Sequence, residues 1–225
     1  MRTRLSPAAA LAALWLALPA AAAPPAGPAH GLRLPASFEG LVPCADCAGV
    51  RWHLDLWPDA VYALHREWSG RDVFRDEVGT WRFDATRKAF VLSSGSEIAL
   101  QVEVKGPETL RPLDMDGKPI VSRLPYDLKE TSAFQPADLR LVLTGEMTEQ
   151  GGAVAFVECR TGRRYSIARD ASSAALRKAY RESAKPAGAP LFVTMDASIV
   201  ARGPERTIVV RKFLRAAPGE TCRRK

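Results

Sequence analysis

The feature that most constrains this chain is a repeated two-residue alternation of apolar and polar side chains, in short runs broken by turn residues. Val50, Trp52, Leu54 and Leu56 fall on one side of such a run, and Arg51, His53 and Asp55 on the other. This is the pattern of a strand with one face in a core. Pro58-Asp59-Ala60 turns the chain, and Tyr62 and Leu64, continued by Arg66 and Trp68, mark a second strand. Trp81 and Phe83, then Phe90-Val91-Leu92, then Ile98, Leu100, Val102 and Val104 extend the series. Leu110 to Met115 runs into the hairpin signal Asp116-Gly117. Strands at roughly ten-residue spacing predict a small antiparallel sheet closed into a barrel.

Leu124 to Asp138 holds two prolines and no strong period, which places a domain boundary there. Beyond it Leu139, Leu141 and Leu143 alternate, as do Ala153, Ala155, Val157 and Cys159. Asp170 or Ser172 can cap a helix that runs to about Ser183, with Leu176, Ala179 and Tyr180 on one face. Further strands follow at Leu191–Met195 and Ile208–Phe213. A small barrel interrupted by one helix predicts an OB-like domain. The fold class is therefore mainly β, with domains over 36–130 and 138–223.

Arg2 and Arg4 precede an apolar run from Leu11 to Leu18 and a small-residue stretch from Ala20 to Ala23. That order predicts a signal peptide over 1–23 and hence a periplasmic or otherwise exported protein. The run is shorter than the roughly 20 apolar residues a membrane span needs. An Ala-, Pro- and Gly-rich stretch over 24–35 predicts a flexible leader. No cysteine precedes Cys44, so the export segment offers no thiol for a lipid. The formal charge of +7 falls to about +5 without the signal arginines. Its scattered lysines and arginines, without aromatic interleaving, suit a solvated face and exclude nucleic acid as the expected partner.

The four cysteines are Cys44, Cys47, Cys159 and Cys222. In an oxidising compartment two disulfides are the default, and four cysteines allow three pairings. Cys44–Cys47 with Cys159–Cys222 is the simplest. Three outcomes remain open for Cys44 and Cys47: a local disulfide, a Cu(I) site held by two soft thiolates, or thiol–disulfide exchange. Zinc would need four ligands, and no second Cys-x-x-Cys supplies them. Exchange enzymes place the attacking thiol at a helix N-terminus, whereas Gly49 and an alternating strand follow here. His53 and His65 are expected on strand faces, and Met115, Met147 and Met195 in cores. No nucleophile elbow, phosphate loop or zinc-protease motif is present, so no enzymatic activity is expected.

Three stretches carry a resemblance. They are Phe38 to Gly49 with its Pro-Cys-Ala-Asp-Cys-Ala-Gly loop, Gly79-Thr80-Trp81, and Leu113 to Ile120. In the second half, Phe156 to Arg163, Ala175 to Tyr180 and Pro218 to Cys222 add to it. The chain resembles the copper-resistance lipoprotein NlpE family, without that family's lipidated cysteine. The resemblance implies a lipocalin-like N-terminal barrel followed by an OB-type domain, and a structural Cys159–Cys222 disulfide. It also implies envelope stress signalling through a membrane sensor kinase, and copper tolerance. The second disulfide would in turn report on a periplasmic thiol oxidase. If the first barrel is hollow, Trp52, Trp81 and Phe83 line a site for a small apolar ligand, and a carrier is the alternative function.

Overall fold

The computed structural model describes residues 28–95, 99–183, 186, 188–202 and 205–222. The stretch read as a signal peptide, 1–23, lies outside them. Eight strands form the first barrel. They are β1 (Ala36–Val42), β2 (Val50–Leu56), β3 (Val61–Trp68), β4 (Phe74–Asp84), β5 (Ala89–Ser93), β6 (Leu100–Gly106), β7 (Thr109–Pro112) and β8 (Leu128–Glu130). Each pairs antiparallel with the next, and β8 returns to β1 to close the sheet. Closure removes the exposed sheet edges that a meander would otherwise leave.

The inward faces follow the alternation. Leu54, Leu56, Tyr62, Leu64, Phe90 and Val102 are fully enclosed or nearly so, and Phe38 from β1 joins them. Trp52 belongs to the same packed core and lies under the Arg66 guanidinium. Trp81 and Phe83 pack on Phe90, with centroids 5.0 and 5.2 Å away. Of the three side chains expected to line a ligand site, Trp81 and Phe83 thus share an aromatic cluster with Phe90, and Trp52 packs in the same core beneath Arg66.

The leader expected over 24–35 is corrected in its described part. Leu32 is buried in the first core, and Leu34 packs against it. His30 sits edge-on to Trp81 and Phe83, each 5.8 Å away. A Pro- and Gly-rich composition concealed this plug because only a few of its residues need be apolar to seal a barrel mouth.

Residues 131–138 carry the chain to a second, five-stranded barrel. Its strands are β9 (Leu139–Gln150), β10 (Ala153–Glu158), β11 (Arg164–Ile167), β12 (Leu191–Arg202) and β13 (Glu205–Ala217). The order around the barrel is β10, β11, β13, β12, β9. Between β11 and β12 lies the helix α1 (Ala174–Ser183), entered through a 3₁₀ turn capped by Asp170. Leu176 and Tyr180 face the core. One helix between the third and fourth strands, with a parallel β11–β13 closure, is the OB arrangement.

The two barrels share a packed seam. Tyr62 and Leu64 point into the first barrel, so Ala63 points out. It is buried there, with Val78, in the same cluster as Leu139, Ile199 and Tyr165 of the second barrel. Asp59 makes a bidentate pair with Arg163, whose guanidinium also lies 4.5 Å over the Trp57 ring. No helix among the described residues is long and apolar enough to cross a membrane.

Candidate functional site

The Cys-x-x-Cys loop joins β1 to β2 at the rim of the first barrel. Its way back into β2 requires Gly49. There φ is +140°, and a Cβ would meet the Leu41 side chain at 2.7 Å. The neighbouring β3–β4 loop braces it, with Ser69 N donating to Gly49 O and Arg71 Nη2 lying 3.0 Å from Asp46 Oδ2. This exposed ion pair orients the loop more than it stabilises the fold. Arg71 is absent from any local motif, since it reaches the loop from 25 positions away.

Cys44 and Cys47 are bonded to one another, with their Cα atoms 5.3 Å apart. That overturns the copper expectation. The sulfur pair that would hold Cu(I) as thiolates is spent in a covalent bond, leaving a weak donor set and one exposed carboxylate, Asp46, beside it. Cys44 Sγ lies 3.3 Å from Asp46 Oδ1; without a thiol proton this is a contact, not a hydrogen bond. Both sulfurs pack against the rim of the first core. The strand β2 follows directly, so no helix N-terminus activates either sulfur.

The histidines and methionines are deployed elsewhere. His53 bridges two carboxylates on the outside of the barrel, with Glu39 Oε1 2.8 Å from Nδ1 and Asp55 Oδ1 3.1 Å from Nε2. Burial lowers its pKa, but Asp55 and Glu39 outweigh that and leave it raised above the ordinary 6.5. His65 Nδ1 pairs with Asp76 Oδ1 at 2.6 Å, and Asp76 Oδ2 accepts Arg140 N from the second barrel. Met147 and Met195 are core residues, whereas Met115 is exposed on the loop after β7, contrary to its expected place in a core.

The second disulfide, Cys159–Cys222, has a different setting. Cys159 opens the turn that follows β10, in which the Glu158 carboxylate accepts Arg160 N, Thr161 N and the Thr161 hydroxyl. Cys222 lies in the tail beyond β13, and its N–H donates to Glu146 Oε1 at 2.9 Å. The bond therefore staples the tail to β9 and β10 across 63 positions of sequence. Both cysteines are half-buried.

A lipocalin-like meander joined to an OB barrel, with a disulfide in each, defines a two-domain β protein of the extracytoplasmic kind. The chain matches the NlpE N-terminal domain over residues 38–123 and the NlpE C-terminal OB domain over residues 140–223. It belongs to the NlpE family. It is 27% identical over 196 residues to the lipoprotein NlpE of Escherichia coli K12, covering 84% of this chain and 79% of that protein. Among solved structures it is similar to the Cpx pathway activator NlpE from Escherichia coli. That likeness has 24% identity and a TM-score of 0.38, over 85% of this chain and all of that one. A lipoprotein structure from Shewanella oneidensis is 29% identical with a TM-score of 0.41, over 47% of this chain and 95% of that one.

Proposed function

We propose that this chain is a non-catalytic periplasmic reporter in an envelope stress response, and that Cys159–Cys222 is the bond it reports. Membership of the NlpE family supports the compartment and the stress role. The observation that carries the redox reading is the placing of Cys222. This half-buried cysteine lies in the segment after β13; the disulfide and the Cys222 N–H on Glu146 hold that segment to β9 and β10, while the Glu220 carboxylate pairs with Arg215 of β13. When a periplasmic thiol oxidase fails, the bond does not form and the tail is released from β9 and β10. The released form then acts on a membrane sensor kinase. Cys44–Cys47 closes too small a ring to release any segment, and serves the shape of its loop.

The test is a reporter of the host's envelope stress pathway, read with the natural chain and with the Cys159→Ser and Cys44→Ser variants. The first variant is expected to raise output several-fold while the second leaves it near baseline. Equal outputs from all three would sink the assignment.

A further inference from the structure

We infer that the cleft between the two barrels, on the outer face of β9, β10 and β11, is a binding site for a small anionic saccharide, a sugar bearing a phosphate or carboxylate. The inference goes beyond the redox reading and does not depend on it. The cleft has a volume of about 690 Å³, within the range of sites that enclose a small ligand. Its floor is a register row across the sheet. Thr148 of β9 lies opposite Ala155 of β10, and Ala155 lies opposite Ser166 of β11. Short side chains at all three positions leave the trough open, and the Thr148 and Ser166 hydroxyls and the Gln150 amide can pair with sugar hydroxyls.

One wall comes from the first barrel. Trp57 is held there by Arg163 stacked on its ring, and Arg163 is itself locked by Asp59, so the aromatic wall is fixed before any ligand arrives. The charge is one-sided: Arg163, Arg164 and Arg206 line the cleft, and no carboxylate does among the described residues. Arg163 is neutralised by Asp59, whereas Arg164, which is exposed, forms no ion pair among the described residues. Behind it, Arg206 donates from Nη2 to Ala137 O and Ile199 O, while its buried Nη1 meets no acceptor among the described residues. An oxyanion at Arg164 completes this electrostatic arrangement through a charge-assisted contact. A polar trough with an aromatic wall fits a sugar better than a peptide, which would need apolar pockets for alternate side chains or a free strand edge. The face formed by the second and third strands is also where OB domains in general take saccharides and oligonucleotides.

The experiment is an amide NMR titration of the whole chain. The probes are trehalose 6-phosphate, trehalose, inorganic phosphate and triglutamate. Saturable shifts at Thr148, Ala155 and Ser166 are expected with trehalose 6-phosphate, at an affinity at least about tenfold above trehalose, which lacks the charge-assisted hydrogen bond, and about tenfold above inorganic phosphate and triglutamate, which lack the hydroxyls that pair with Thr148, Gln150 and Ser166. Arg164→Gln should cost about the same factor by removing that bond. Ala155→Leu should fill the trough and abolish the shifts with the remaining spectrum unchanged. Equal binding of inorganic phosphate, stronger binding of triglutamate, shifts centred elsewhere, or no shifts with any probe would each overturn the proposal. An Arg164→Gln variant that binds as well as the natural chain would overturn it too.

Discussion

Asp55, on the outward face of β2, accepts the backbone N–H of Ala137 across the seam at 2.9 Å. The same carboxylate accepts the Ser37 hydroxyl at 2.6 Å and lies against His53, and it has no exposure to solvent. A carboxylate removed from water is tolerated only when its oxygens are fully paired. Replacing it by alanine leaves Ser37, His53 and Ala137 N without their acceptor. We expect Asp55→Ala to cost about 3 kcal/mol. It should also uncouple the two barrels, because Ala137 lies in the segment that joins them. Urea denaturation followed by far-UV circular dichroism, which reports both sheets, should change from one transition to two. A single transition with an unchanged midpoint would show that the seam does not depend on this carboxylate.

His53 makes the same region pH-dependent. Its folded pKa lies above its ordinary value, since Asp55 and Glu39 favour the imidazolium more than burial opposes it. Folding therefore favours proton uptake, and the stabilisation is complete below the unfolded value of 6.5 and lost as pH rises through the folded value. The natural chain should be more stable than His53→Gln in mild acid, and the gap should narrow on the alkaline side of neutrality. Paired urea titrations from about pH 5 to about pH 9 would measure it. A gap constant across that window would contradict the assignment of His53 as a charged bridge.

The two barrels were legible in the sequence because a half-buried strand writes its period directly into the chain. The inward set Val50, Trp52, Leu54 and Leu56 is buried as the alternation requires. That same alternation puts Asp55 on the polar side, yet Asp55 is fully enclosed. Its cover comes from residues some 80 positions later, and a local period carries no information about a cover so remote. Ala63 and Val78 are hidden for the same reason, since their outward face is buried by the second barrel. The state of Cys44 and Cys47 was not legible either, because a spacing of three suits a disulfide and a thiolate pair equally. Trp57 and Arg164 carried no motif, and Arg163 closed a family stretch that gave no sign of a cleft, since the cleft exists only after two domains have docked.

The two disulfides should differ in what they contribute. In the chain-entropy model a loop closed across 63 positions constrains the unfolded chain by about 4 kcal/mol, against about 2 kcal/mol for the ring closed across three. Paired serine variants avoid the complication of a stranded thiol. Cys159→Ser with Cys222→Ser is expected to lower the unfolding midpoint well below Cys44→Ser with Cys47→Ser. The reverse ranking would mean that the tail staple does not limit the unfolded ensemble.

The Gly79-Thr80-Trp81 tripeptide gives the sharpest stability test, because its two ends do different work. Gly79 lies where β4 is closest to both of its neighbours. A Cβ there would meet Ser93 O at 2.2 Å and the Tyr62 ring at 2.6 Å. Neither can yield freely, since Ser93 O is backbone and Tyr62 is fully buried and donates to Glu77. Trp81 is partly buried, and its indole N–H donates to Trp57 O, tying the barrel end to the turn that carries the seam. Gly79→Ala must push β5 or Tyr62 aside, at a cost of about 3 kcal/mol for an overpacked core. Trp81→Phe keeps most of the ring packing on Phe90 and loses one hydrogen bond, worth about 1 kcal/mol. The methyl group should therefore be the more damaging change, although it is far the smaller. Thermal unfolding of both variants beside the natural chain decides it. A Gly79→Ala protein as stable as the natural one would show that β4 and β5 are not held at the separation the barrel requires.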